Sequence, residues 1–168
     1  MKPFLLSLGL LLTLACKGQT HEKSGTAETN APEGAEFAVV KTEAEWRAQL
    51  GEMAYFVLRE AGTEPRGSSP LLHVKESGTF VCAGCGTPVF KSEHKYESGS
   101  GWPSFDREIE GNVAFSIDTS YGMRRVEEHC AVCGGHLGHV FDDGPRQTSG
   151  KRHCINGAAL KFVPEDQK

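Results

Sequence analysis

The sequence predicts a mainly β domain, entered through short helices and stapled by a four-cysteine metal site. Three observations carry that expectation. The 168 residues include 20 Gly and 8 Pro, a density of turn formers that suits many short strands. Short β-prone runs separated by turn residues recur at Val113–Ile117, Met123–Val126, Arg152–Ile155 and Ala159–Val163. Two CxxC pairs, Cys82/Cys85 and Cys130/Cys133, each carry a glycine directly behind the second cysteine. A charged content of 24% and a net charge of −4 leave room for one globular domain and give no polyanion-binding signal. Nucleic acid is therefore not an expected partner.

The chain opens on an export signature. Lys2 precedes an apolar run, Phe4 to Ala15, that stops at Cys16. The run is short for a membrane span and matches the apolar core of a secretory signal over residues 1–15. Leu12-Thr13-Leu14-Ala15-Cys16 resembles a bacterial lipoprotein cleavage site. That implies a lipid anchor on Cys16 and a periplasmic or cell-envelope location; an ordinary cleaved signal is the alternative. Residues 16–37 are rich in Gly, Ser, Thr, Glu and Ala, offer no hydrophobic face, and read as a disordered tether before the domain at 38–168.

Thr42-Glu43-Ala44-Glu45 has the form of a capping box, with Trp46 and Leu50 an i, i+4 apolar pair, so a helix is expected over 43–50. A second follows over 52–61, carrying Tyr55 and Leu58 on one side. Gly62, Pro65, Gly67 and Pro70 then exclude regular structure. Thr79–Val81 reads as a strand leading into the first cysteine pair. The glycines after Cys85 and Cys133 let the chain curl so that backbone N–H groups face the sulfurs. Four thiolates in two such knuckles suit a closed, tetrahedral zinc site. Disulfides, or a redox CxxC, are the alternatives in an oxidising compartment.

The stretch His136 to Asn156 concentrates the reactive side chains, and Asp143-Gly144-Pro145 can fold it back on itself. Cys154 is a thiol outside both pairs and outside the signal, and it reads as a nucleophile. Arg152 lies two residues before it, on the same strand face, where a permanent charge can lower the thiol pKa. Asn156 continues that alternation. His153 falls on the opposite face and receives no catalytic role. Tyr96–Phe105 reads as a glycine-rich loop whose Trp102 either lines a pocket or anchors the core.

Gly101–Phe105, His136–Pro145 and Arg152–Asn156, in order with the paired knuckles, resemble the B-type methionine sulfoxide reductases from about Thr42 to Pro164. The resemblance implies two antiparallel β-sheets with short N-terminal helices. It also implies reduction of methionine-R-sulfoxide in proteins, with Cys154 passing through a sulfenic acid. By the same resemblance His139 and Asp143 lie near the sulfoxide oxygen, with His136 in their cluster. Trp102 would hold the substrate methyl, and Asn156 would orient the pocket. Many relatives carry a resolving cysteine where this chain has Ser100, so an external reductant, thioredoxin-like or a small thiol, is expected. The competing readings are a zinc-stapled methionine-binding module and an exported thiol-disulfide exchange protein.

Overall fold

A computed structural model of the chain describes residues 37–165, so the signal segment and almost all of the tether lie outside the described residues. Helix α1 spans Glu43–Gln49 and begins with the expected capping box: the Thr42 side chain accepts from the Glu45 N–H, while the Glu45 carboxylate accepts from the Thr42 N–H. Helix α2 spans Glu52–Glu60 and buries Tyr55, Val57 and Leu58. It ends at Ala61, whose φ of 52° is left-handed. Among the described residues no helix is long and apolar enough to cross a membrane.

Nine short strands build two antiparallel sheets. The smaller orders β2 (Pro88–Lys91), β1 (Gly78–Cys82) and β9 (Leu160–Pro164). The larger has six strands. It begins with β3 (Lys95–Tyr96), β4 (Ser104–Phe105) and β8 (Arg152–Ile155), and continues through β7 (His136–Phe141), β6 (Arg125–Cys130) and β5 (Val113–Asp118). The sheets meet through aromatic rings. Phe90 stacks on Phe105 at 4.4 Å between centroids, and Phe80 meets Phe105 edge-on at 5.0 Å. Leu137 and Ile155, both fully buried, extend this core toward α2.

Several boundaries differ from the sequence reading. The strand expected at Met123–Val126 begins later, at Arg125, and runs to Cys130. Gly122 turns at φ 70°, which delays the ladder, while Glu127 and Glu128 are paired with histidines and so tolerated within it. Pro70–His73 forms one 3₁₀ turn, capped by the Ser69 side chain, where no regular structure was expected. The loop read over Tyr96–Phe105 is laddered at both ends, Lys95 pairing with Phe105 and Tyr96 with Ser104.

His153 does lie on the core side of β8. Its Nδ1 is 2.6 Å from Oε1 of the fully buried Glu128, and its Nε2 is 3.3 Å from Glu108. Burial pushes the Glu128 carboxyl up, against the pull of its bond to His153.

Strands β7 and β8 pack unusually close at one point. A Cβ on Gly138 would stand 2.1 Å from the Cys154 carbonyl oxygen and 3.0 Å from the Ile155 Cα. Backbone cannot swing aside as a side chain can. Gly138→Ala is therefore expected to cost about 1–3 kcal/mol of stability, read as a lower urea midpoint. An unchanged midpoint would show that the strand spacing relaxes freely.

Candidate active site

The four paired cysteines converge. The Sγ atoms of Cys82, Cys85, Cys130 and Cys133 all lie within 4.8 Å of one another. Cys82 closes β1 and Cys130 closes β6, so the cluster joins the two sheets. Gly86 and Gly134 take φ of 79° and 68°, the left-handed turn that the knuckles require. Each donates its N–H to the carbonyl of the first cysteine of its pair at 2.8 Å. The helices roof the cluster: Gln49 donates to the Gly84 carbonyl at 2.6 Å and Arg59 to the Cys133 carbonyl at 3.0 Å. Hydrogen bonding among the sulfurs pushes the Cys82 and Cys133 thiols up and the Cys85 and Cys130 thiols down. Four converging thiols fit a closed zinc site.

The second centre is built by lateral pairing. Tyr96, Ser104, Cys154, His139, Glu127 and Ser116 stand directly opposite one another across all six strands of the larger sheet. Directly paired residues share a face, so six side chains from distant segments form one row. Cys154 sits in the middle, half-buried, with its Sγ 3.7 Å from the Ser100 hydroxyl. Ser98, Ser100 and Ser104 form a hydroxyl cluster beneath it, with contacts of 2.9, 2.7 and 3.4 Å.

Burial pushes the Cys154 thiol up. Ser100 and Arg152 pull it down, as expected of the arginine, but desolvation outweighs both and the resting group stays a thiol. Arg152 lies over the Phe141 ring at 4.4 Å and makes a two-pronged pair with Asp143, at 2.8 and 2.9 Å. Asp143 is thus committed to Arg152 rather than to His139.

His139 finds its carboxylate elsewhere. Its Nε2 is 2.8 Å from Oδ2 of Asp118, at the end of β5. Burial would raise Asp118, but hydrogen bonds from Ser120, His139 and Arg125 hold it well below the usual carboxylate range. Burial also lowers His139, outweighing the opposing pull of Asp118. The pair is then a neutral imidazole donating from Nε2, with Nδ1 as the ring's acceptor. His136 is buried, bonded through Nδ1 to Glu127 at 2.7 Å, with its ring 5.3 Å from that of His139. Its Nε2 is buried with no hydrogen-bond partner among the described residues. Burial would raise Glu127, but bonds from His136 and Ser116 hold it below its ordinary value.

Trp102 and Asn156 share a support that the sequence concealed. The Trp102 indole donates to the Glu64 carbonyl at 3.1 Å. Asn156 lies just past the end of β8 and is buried, not on the open face with Cys154. Its oxygen accepts from the Glu64 N–H at 3.0 Å, and its amide donates to the Leu137 carbonyl at 3.0 Å. Both ends are occupied by backbone, so Asn156 positions the pocket wall. The buried Glu64 carboxylate accepts from the N–H groups of Gly157 and Ala158.

A half-buried thiol stands in a polar row beside a carboxylate-held imidazole and an arginine, on a two-sheet scaffold joined by four cysteines. The SelR domain model matches residues 50–164, and the chain belongs to that family. A Mus musculus protein named methionine-R-sulfoxide reductase B3, mitochondrial, is 51% identical over 129 residues, 76% of this chain and about half of that protein (51%). Peptide methionine sulfoxide reductase MsrB of Leptospira interrogans is 49% identical over 77% of this chain and 98% of its own length. The protein of the same name from Bradyrhizobium diazoefficiens is 51% identical over 76% and 91%.

Two outcomes test these centres. After incubation with zinc, Cys130→Ser should hold less metal than wild type by elemental analysis and melt at a much lower midpoint, since a structural site contributes folding energy directly. Asp118 is depressed in the folded state, so in acid the unfolded chain binds its proton first. Its contribution is complete above the ordinary carboxylate value of about 3.9 and is lost as pH falls toward the folded value. Asp118→Asn should therefore flatten the acid limb of stability against pH; an acid limb identical to wild type would remove Asp118 from the network.

Proposed function

We propose that this chain reduces methionine-R-sulfoxide residues in proteins, with Cys154 as nucleophile and Ser100 in place of a resolving thiol. The observation that carries the reading is Cys154 itself: a half-buried thiol beside a serine hydroxyl, directly opposite His139. A module that only bound methionine would not need that arrangement, and a disulfide exchanger would not bury its CxxC sulfurs in one four-membered cluster. The names of the relatives support the same reaction.

The free thiol is protonated, and the chemistry uses that proton. His139 Nδ1 is the acceptor able to take it as the sulfur attacks and to return it to the departing oxygen. Arg152, fixed by Asp143, stabilises negative charge on the sulfur as it develops. Trp102, held by Glu64, forms the apolar side that receives the substrate methyl, and His136, fixed by Glu127, borders the same space. Cys82, Cys85, Cys130 and Cys133 would hold zinc, which supplies folding energy and no chemistry.

Oxygen transfer leaves methionine and a sulfenic acid on Cys154. Ser100 cannot form a disulfide, and the other described cysteines are gathered in the cluster. An external thiol, from a thioredoxin-like protein or a small molecule, attacks the sulfenic acid and releases water; a second thiol then frees Cys154. Export and lipid attachment at Cys16 belong to the same proposal and rest on residues 1–16 alone.

The test supplies dithiothreitol and separated sulfoxide epimers. Methionine should form from the R epimer and not the S, and Cys154→Ser should be inactive while it keeps its fold, because a hydroxyl is a far weaker nucleophile. No product from the R epimer with wild-type protein would overturn the reading.

A further inference from the structure

We propose that Arg125 is a positioning residue for the oxygen transfer, holding Asp118 so that one carboxylate oxygen fixes the His139 ring and leaves Nδ1 as its acceptor. The proposal rests on the reductase reading and adds a residue to it. Asp118 closes β5 and Arg125 opens β6, and the two stand directly opposite across the ladder. Arg125 Nη2 donates to Oδ2 of Asp118, the same oxygen that meets His139 Nε2 at 2.8 Å. The other oxygen, Oδ1, accepts from the Ser120 N–H at 2.8 Å, and Arg125 Nη2 also reaches the Ser120 hydroxyl at 3.3 Å. Both carboxylate oxygens are thus occupied, and the turn after β5 is tied to the same guanidinium.

Charge balance gives Arg125 its part. The His139 and Asp118 side chains are only 13% and 16% exposed. A carboxylate alone beside an imidazole in such a place draws a second proton onto the ring. Arg125 instead brings a permanent positive charge to the same oxygen, so an imidazolium at His139 would face a like charge with little water between. Burial lowers His139, Asp118 pulls it back up, and the Arg125 charge opposes that pull. The arginine takes the place that the second proton would fill.

The other charged groups facing His139 are engaged elsewhere. Glu127 and Cys154 stand directly opposite it on β6 and β8. Glu127 accepts from Ser116 and is bonded to His136, whose ring lies 5.3 Å from that of His139 on the same strand. Arg152, two residues before Cys154 on β8, is paired with Asp143. Among the described residues Arg125 meets no carboxylate but Asp118. The reaction needs the state so produced. Nδ1 takes the thiol proton as the sulfur attacks and returns it to the departing oxygen, and a doubly protonated ring has no site for it. Arg125 itself exchanges neither proton nor electrons; the thiol and the sulfoxide still give a sulfenic acid and a thioether.

Full-length enzyme, without reductant, is mixed with one equivalent of an R-sulfoxide peptide, and thioether formation is followed by rapid quench from about pH 5 to about pH 8. Wild type should convert close to one equivalent; if it converts none, the reductase reading itself fails. Arg125→Gln and Arg125→Met both remove the charge, the second keeping an apolar stem in place. Each should lose its rate in acid about one pH unit higher than wild type and recover most of it at the alkaline end; either variant decides alone. Arg125→Lys, which keeps a cation opposite Asp118, should return the acid limb to the wild-type position. A charge-free variant slowed by the same factor at every pH has lost structure only and overturns the proposal. So does an acid limb that does not move, or one that Arg125→Lys fails to restore.

Discussion

The structure depends first on the convergence of four cysteine sulfurs where β1 and β6 end. These strands belong to different sheets, and the sulfurs of Cys82 and Cys133, 3.7 Å apart, are 51 residues apart in the chain. Bringing such distant segments together is a loop-closure cost that local contacts cannot offset. The apolar contact between the sheets centres on a few rings, Phe80, Phe90 and Phe105, and the nine described strands are each only two to six residues long. A metal shared by four thiolates would fix both sheet ends at once. The helices, packed on the knuckles through Gln49 and Arg59, then have a rigid base.

With the sheets fixed, the larger one acts as a ruler. Each step across it moves about 4.8 Å and brings in a segment that may be remote in sequence. The thiol, its imidazole neighbour and the carboxylates behind the histidines therefore come from separate strands but keep fixed spacing. Loops add what the ruler cannot. The Gly-rich turn sets Ser100 against the sulfur, and the segment after α2 supplies Glu64 as the common support of Trp102 and Asn156. Burial keeps the thiol protonated and the imidazole neutral, while hydrogen bonds hold the Asp118 and Glu127 carboxyls low against it.

The parts legible in the sequence were those written locally. The capping box at Thr42, the glycines behind each cysteine pair and the strand at Arg152–Ile155 each announce themselves within a few residues. Cys154 stood out because it lacked a partner. Asp118, Glu127 and Glu64 did not stand out, since an acidic side chain in a surface-like context has no mark until a strand register or a buried turn brings it to the site. The same limit explains the pairing of Asp143. The resemblance groups it with His139 near the sulfoxide oxygen, but the turn at Gly144 carries it back onto Arg152. Asn156 was assigned by extending the alternation of β8 one residue too far.

The reverse face of β8 has a consequence for the nucleophile. A one-residue slip of any strand exchanges its two faces, and short strands with little apolar surface resist such slips weakly. Here His153 is bonded to a fully buried Glu128 on one nitrogen and approached by Glu108 on the other. Pulling it away would leave the buried Glu128 carboxyl without its hydrogen bond, a penalty of about 1–3 kcal/mol. The acidic pair therefore works as a latch, and it acts on the side of the strand where no chemistry occurs. The thiol keeps its aim because the residue beside it is locked from behind.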